Sequence, residues 1–266
     1  MQKYERDYAL MVQDILRNGE QRQTRNAITT AKFGMSLEVP VTDWFPIIQG
    51  RKMYPDGVFG ELAAMLRQPK CVEDFTKWGC NYWKDWADED GTLNIDYGNA
   101  WFDFNGTDQI ADLKDKLANN PTDRRMIISG WRPDRLSELS LPCCHYSYQF
   151  YVGDGKLDMI WTQRSVDMMV GLPSDIVFAA AWLIAIANEF NLTPGKVKFD
   201  LGDCHVYEPH WDAAREYTDR VSVSQALPVS YDYRQPTGAD FCKFEPTFMH
   251  LGNYAHLEPL KLELLK

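Results

Sequence analysis

Residues 4–17 set apolar and polar side chains at helical spacing, which predicts a helix at the start of the chain. The pattern breaks at "RNGEQRQTRNAITTAKFG", where Gly, Asn, Thr and three arginines predict a loop rich in hydrogen-bond donors. "FGELAAMLRQP" returns to helical spacing, and "VEDFTKWGCNYWKDWADEDG" reads as an aromatic, turn-rich segment, with Pro69 and Gly91 as punctuation. Arg125–Trp131 reads as a strand. "YSYQFYVGDGKLDMIWTQRS" predicts a hairpin turning at Asp154 and Gly155. "SDIVFAAAWLIAIANEFNLTPG" is apolar on nearly every face, the mark of a helix buried inside a protein, with Ser174 expected as its cap and Pro194 and Gly195 as its stop. Further strand-like runs follow in the last third, without internal repeats. The expectation is one α+β domain over residues 1–266.

The composition supports a large packed core: 45% of the 266 residues are apolar, with nine Trp, thirteen Tyr and thirteen Phe. A formal charge of -10 argues against general attraction to nucleic acid or to an anionic membrane, so an anionic ligand needs a dedicated cationic pocket. The charged N-terminus lacks a signal-peptide core and no stretch of about 18 unbroken apolar residues follows, which predicts a cytoplasmic protein. Six scattered cysteines without CxxC pairs predict reduced thiols. His145, His205 and His210 lack a matching ligand set, so no metal is expected.

Chemistry concentrates around "LPCCHYSYQFYV". A buried cysteine is ordinarily a small hydrophobe, but Arg164 downstream is placed to lower a thiol pKa and to bind an anion. In an extended segment Cys143 and Cys144 face opposite sides, so only one can face a given pocket. Arginines also stand at Arg22 and Arg25, and at Arg124 and Arg125; three cationic elements in an acidic chain suggest a phosphomonoester site.

"LPCCHYSYQFYVGDGKLDMIWTQRSVDMMVGLPSDI" followed by "GDCHVYEPH" resembles the thymidylate synthase and deoxycytidylate hydroxymethylase family, whose pattern runs P-C-H, Q-R-S-x-D-x-x-x-G-x-P-x-[N/D]-I and G-D-x-H-x-Y-x-x-H. The likeness extends to "RRMIISGW", "WKDWADEDGTLNIDYGNAW", Gly60 to Leu62, and Phe33 with Gly34, covering roughly residues 5–215. The final segment matches weakly. The resemblance implies a three-layer fold with a mixed β-sheet and a long buried central helix, forming a homodimer through its sheets. It implies Cys144 as the nucleophile that adds to pyrimidine C6, so that C5 attacks the one-carbon unit of 5,10-methylenetetrahydrofolate, the co-substrate. Cys143 then occupies a place where the family usually has another residue.

By the same resemblance Arg25 (with Arg22 as its rival), Arg164 and Ser165 hold the phosphate, and Arg124 and Arg125 are donated across the dimer axis to the other subunit's phosphate. His205 and Tyr207 hold the sugar 3′-hydroxyl, while Gln163 and Asp167 serve the base and ribose region. Glu61 organises water and relays protons. Trp83, Trp86, Tyr97, Asp167 and Gly171 line the folate side, with Tyr97 also close to the reacting carbon.

The departure that matters is Asp175, where thymidylate synthases carry Asn. An amide donates to O4 and accepts from N3-H of uracil, whereas an ionised carboxylate only accepts and so suits the cytosine amino group. As a proton source for N3, Asp175 would also activate the ring toward Cys144. The expected activity is deoxycytidylate 5-hydroxymethylation, with water adding to the exocyclic methylene and tetrahydrofolate leaving. The weakly matching C-terminus, where thymidylate synthases close over the folate and exclude water, is read as favouring hydration. A methylase of dCMP or dUMP, a CMP hydroxymethylase and a silent nucleotide- or RNA-binding homologue are the alternatives. No membrane or obligatory nucleic-acid partner is expected.

Overall fold

The computed structural model describes residues 2–225 and 227–265 and joins helices to one large mixed sheet. Helix α1 (Lys3–Asn18) is followed by strands β1 (Glu20–Gln23) and β2 (Ile28–Pro40), and then by helices α2 (Pro55–Met65) and α3 (Val72–Thr76). A 3-10 turn spans Trp83–Trp86. Helices α4 (Asn99–Phe102) and α5 (Gln109–Asn119) lead into β3 (Ile127–Ser129), β4 (His145–Gly153) and β5 (Lys156–Asp167). The chain then forms α6 (Gly171–Glu189), β6 (Thr193–Tyr207), α7 (Trp211–Val223), and a small ribbon of β7 (Tyr231–Tyr233) and β8 (Met249–Leu251).

The six-stranded sheet runs β1-β2-β6-β5-β4-β3, antiparallel except where β5 and β6 pair in parallel. That parallel pair requires a crossover, and α6 supplies it. The predicted loop after α1 is in part a hairpin, because Glu20–Gln23 alternates polar side chains at an exposed sheet edge and carries no apolar signal. The turn at Asp154 and Gly155 is as expected, both residues taking positive φ (51° and 72°), as a two-residue hairpin connection of this twist requires.

Alternate residues of the central strands point into the core. Leu37, Val39, Leu157, Met159, Trp161, Val197, Phe199 and Leu201 are buried, while Ser36, Glu38, Ile160, Lys196 and Lys198 between them stand on the open face. Helix α6 fills the space beneath β5, β6 and α2, burying Leu172 and an unbroken run from Ile176 to Ala187. By length and hydropathy it matches a membrane span, yet most of it is enclosed by protein. Trp182 stacks on Trp101 at 4.4 Å between centroids, and truncating such a side chain to Ala costs about 3–5 kcal/mol. Two expected boundaries move. The helix begins at Gly171, so Ser174 lies in its first turn with Oγ donating to the Val170 carbonyl at 3.2 Å; Pro194 and Gly195 belong to β6, beyond the stop at Glu189.

The open face carries exposed apolar side chains, with Phe33 at 88% and Tyr151 at 66% of full exposure, joined by Ile127 and Ile160.

Candidate active site

Cys144 sits just before β4, at the mouth of a cavity of about 510 Å³ at the carboxyl ends of the parallel strands β5 and β6. The two cysteines part as expected. Cys143 turns into the core beside Gly130, and Cys144 lines the cavity. Burial pushes both thiols up, and at Cys144 the Arg164 guanidinium and the Tyr97 hydroxyl oppose that rise. The turn that bears Cys144 is gripped from two sides. Arg164 donates from Nε to the Cys143 carbonyl at 2.8 Å and from Nη2 to the Pro142 carbonyl at 2.9 Å, and the Tyr97 hydroxyl accepts the Cys144 amide N–H.

Two glycines make the opposite wall possible. A Cβ at Gly60 would lie 2.3 Å from the Trp78 carbonyl, and one at Gly98, where φ is +76°, would lie 2.1 Å from the Met65 carbonyl. Without side chains there, α2 carries Glu61 to the cavity and the turn after Tyr97 seats on the end of α2. Glu61 accepts from Tyr82 Oη and Trp83 Nε1, each at 2.7 Å, and burial still raises its pKa to about 7. Trp83 stacks on Phe75, meets Tyr97 edge-on at 5.6 Å and lies 5.6 Å from the tilted ring of Trp86.

The floor comes from β5 and α6. Gln163 Nε2 donates to Asp175 Oδ2 at 2.8 Å, and burial lifts the Asp175 carboxyl to about 8, with the nearby carboxylates of Glu61 and Asp167 adding to the rise. That rise favours the protonated carboxyl, in keeping with Asp175 as a proton source. Asp167 has structural work as well, accepting from the Met169 and Val170 amides to shape the entry into α6. Ser165, Gly171 and Ser174 line the same floor.

On the far side, His205 Nδ1 lies 3.2 Å from Asp203 Oδ1, and Tyr207 Oη accepts from Asn26 Nδ2 at 3.3 Å. Arg25 lines the cavity beside Asn26, while Arg22 is tied to Asp203 and is absent from the lining, which favours Arg25 over its rival. Arg124 and Arg125 are not brought to this cavity. Arg124 lines a second depression of about 330 Å³ on the open face of the sheet with Lys196 and Lys198, and Arg125 projects to solvent paired with Asp123 at 2.8 Å.

Sequence reasoning missed Tyr82, Asn26 and the tail. Tyr82 lies in the aromatic run it singled out and Asn26 directly follows Arg25, so both had a faint signal. The tail had none. It is tied down where the Leu257 amide donates to the Gln49 carbonyl at 2.9 Å and the Glu263 amide to His210 Nε2 at 3.2 Å, which sets Leu264 and Leu265 on the cavity.

A thiol on a cation-gripped turn, two half-buried carboxyls of raised pKa and a ring of aromatics suit covalent chemistry on a flat, anionic ligand. The sequence profile of thymidylate synthase matches residues 6–265. The chain belongs to the thymidylate synthase family. The thymidylate synthase of Enterobacteria phage T4 is 33% identical over 280 aligned positions, which cover 96% of this chain and 98% of the phage enzyme. Family membership assigns the chain to one-carbon transfer with methylenetetrahydrofolate as co-substrate. The family match runs through the tail, to residue 265. Among the described residues no group of three or more His, Cys, Asp or Glu side chains is arranged to hold a metal ion.

Proposed function

We propose that the chain is a deoxycytidylate 5-hydroxymethylase, adding CH2O from methylenetetrahydrofolate and water to C5 of dCMP and releasing tetrahydrofolate. The observation that carries the reading is Asp175, a half-buried carboxyl at the base-recognition position of the family, held by Gln163 and with its pKa raised to about 8. A neutral acid placed there can share its proton with N3 of cytosine while its other oxygen accepts from the 4-amino group, and the ring then becomes a better electrophile for Cys144.

In this reading Cys144 adds to C6, and Arg164 stabilises its thiolate and binds phosphate together with Arg25 and Ser165. Glu61, poised at about 7, relays the proton from C5 and orients the water that attacks the exocyclic methylene. His205 and Tyr207 receive the 3′-hydroxyl, while Trp83, Trp86, Gly171 and Asp167 form the folate side. Ser174, where the family usually has an aromatic residue, leaves room and a hydroxyl at that side of the cavity. The enzyme is a homodimer through the open sheet face. That face holds the exposed Phe33, Ile127, Tyr151 and Ile160, with Arg124 in its depression, and pairing two copies through it lets Arg124 and Arg125 complete the partner's phosphate site. Catalysis by one 266-residue domain in the cytoplasm belongs to the same reading.

A second reading has its own support. Leu264 and Leu265 lie on the cavity, where apolar side chains exclude water, and the phage T4 relative is a thymidylate synthase; both favour hydride transfer to the methylene, giving a methylated pyrimidine nucleotide and dihydrofolate. Incubation with methylenetetrahydrofolate and dCMP, followed by the product mass, separates the two: a gain of CH2O supports hydroxymethylation, and a gain of CH2 overturns it.

A further inference from the structure

The nucleophile's turn is reached by a segment that meets the cavity only at Leu141. Between β3 and Cys144 the chain runs through the irregular connection 132–142, which is bonded to Asn94 and Asp96, to Asn105 through Arg132 Nη2 at 2.6 Å, and to Arg164 through the Pro142 carbonyl. Arg135 forks across two side chains, donating from Nη1 to Asp96 Oδ1 at 2.8 Å and from Nη2 to Asn94 Oδ1 at 2.7 Å. The backbones are stitched as well. The Ser140 amide donates to the Asn94 carbonyl at 2.8 Å, the Asn94 amide to Ser140 Oγ at 3.1 Å, and Asn94 Nδ2 to the Glu138 carbonyl at 2.8 Å.

Asp96 is the unusual member of this cluster. It is 0% exposed, and its Oδ2 has no hydrogen-bond partner among the described residues. A buried carboxylate with a free oxygen is costly, so a purely structural anchor would be better served by an amide. Its neighbours give it a use: Tyr97 follows it in the chain, and the Cys143 thiol feels its charge. Neither Asp96 nor Arg135 lines the cavity.

We propose that the Asp96–Arg135 ion pair is a positioning device for the nucleophile, clamping the connection 132–142 to the Asn94–Tyr97 segment so that the Tyr97 hydroxyl stays registered on the Cys144 amide. Arg164 holds the same turn from β5, and the pair supplies the second grip, without which the turn can slide relative to Tyr97. The inference rests on Cys144 as the attacking thiol and is independent of which pyrimidine it attacks.

The test compares wild type with Arg135→Gln, Asp96→Asn, their double variant and Arg135→Lys, which keeps the charge but loses the fork. The first readout is alkylation of Cys144 by iodoacetamide between pH 6 and 10, located by peptide mass, with buried Cys143 as the internal control. It needs no substrate. The second is kcat and KM on whichever nucleotide turns over fastest.

Loss of the clamp lowers Cys144 alkylation at pH 7.5 by about fivefold or more and moves its midpoint to higher pH, because the Tyr97 hydroxyl no longer helps the thiolate. It lowers kcat by roughly tenfold to a hundredfold with KM changed less than about threefold, the cost of a misplacement near 1 Å. Because one clamp is broken in each case, the double variant is no slower than the slower single, and Arg135→Lys moves in the same direction by less. Should Arg135→Gln fail to fold, the Arg135→Lys profile carries the comparison. The proposal is overturned if the folded variants keep the wild-type alkylation profile, or if the double variant shows the sum of the two single losses. A separate failure, activity retained in Cys144→Ser, would overturn the nucleophile assignment itself.

Discussion

Replacing Asp175 with Asn tests the base-recognition argument with a change of one group. Gln163 Nε2 donates to Asp175 Oδ2 at 2.8 Å, so the amide carbonyl of an asparagine seats on Gln163 and its NH2 turns toward the base. That donor matches uracil O4 and opposes the 4-amino group of cytosine. A buried polar pair made or mismatched is worth about 1–3 kcal/mol, so the ratio of kcat/KM for dCMP over dUMP falls about tenfold to a few hundredfold. The variant also lacks the proton that Asp175 holds below about pH 8, and losing a general acid costs about 10²–10⁴ in rate on dCMP. The assay mixes dCMP and dUMP in one tube with methylenetetrahydrofolate and weighs both products at early times, which reads the specificity ratio directly. A ratio within about twofold of wild type would refute the reasoning, since Asp175 would then touch no base.

Three further outcomes follow from the same geometry. Cys144→Ala abolishes turnover, while Cys143→Ala, which leaves only a small void in the core beside Gly130, keeps kcat within about threefold and costs about 1 kcal/mol in denaturant unfolding. The raised pKa of Asp175 has two signs. As the proton source it supports turnover of dCMP below about pH 8, and activity declines above that value; in the folded protein it retains a proton that the unfolded chain has released, so the empty enzyme loses stability as pH climbs from about 4 to 8. Thermal melts should therefore show Asp175→Asn gaining more over wild type at pH 8 than at pH 5. Mixing Cys144→Ala with Arg125→Ala subunits restores about a quarter of wild-type activity from inactive parents, because half the random dimers hold one intact site; no recovery would argue against donation across the interface.

The sequence made some features legible and hid others for physical reasons. Helix α6 was plain because full burial demands apolar residues on every face, and the β4–β5 hairpin because Asp154 and Gly155 tolerate the positive φ its turn requires. Strand β1 was hidden, since an exposed edge strand such as "EQRQ" needs only backbone pairing. At the site, Cys144, Glu61, Asp175 and Arg164 were readable from the family resemblance, and the structure gathers them around one cavity. Asp175 was read as a proton source, but its raised pKa was not readable, because it follows from burial and from two carboxyl neighbours brought in by distant elements. The tail leucines were equally hidden. Their place depends on backbone bonds to Gln49 and His210, which any residues at those positions would make.

The central claim is the fate of the one-carbon unit on cytosine. The direct measurement incubates the purified protein with methylenetetrahydrofolate and dCMP, dUMP or CMP in turn and weighs each nucleotide, with the folate product read in parallel. The account predicts that dCMP gains CH2O and that tetrahydrofolate appears. A gain of CH2 with dihydrofolate, on any of the three nucleotides, would contradict it.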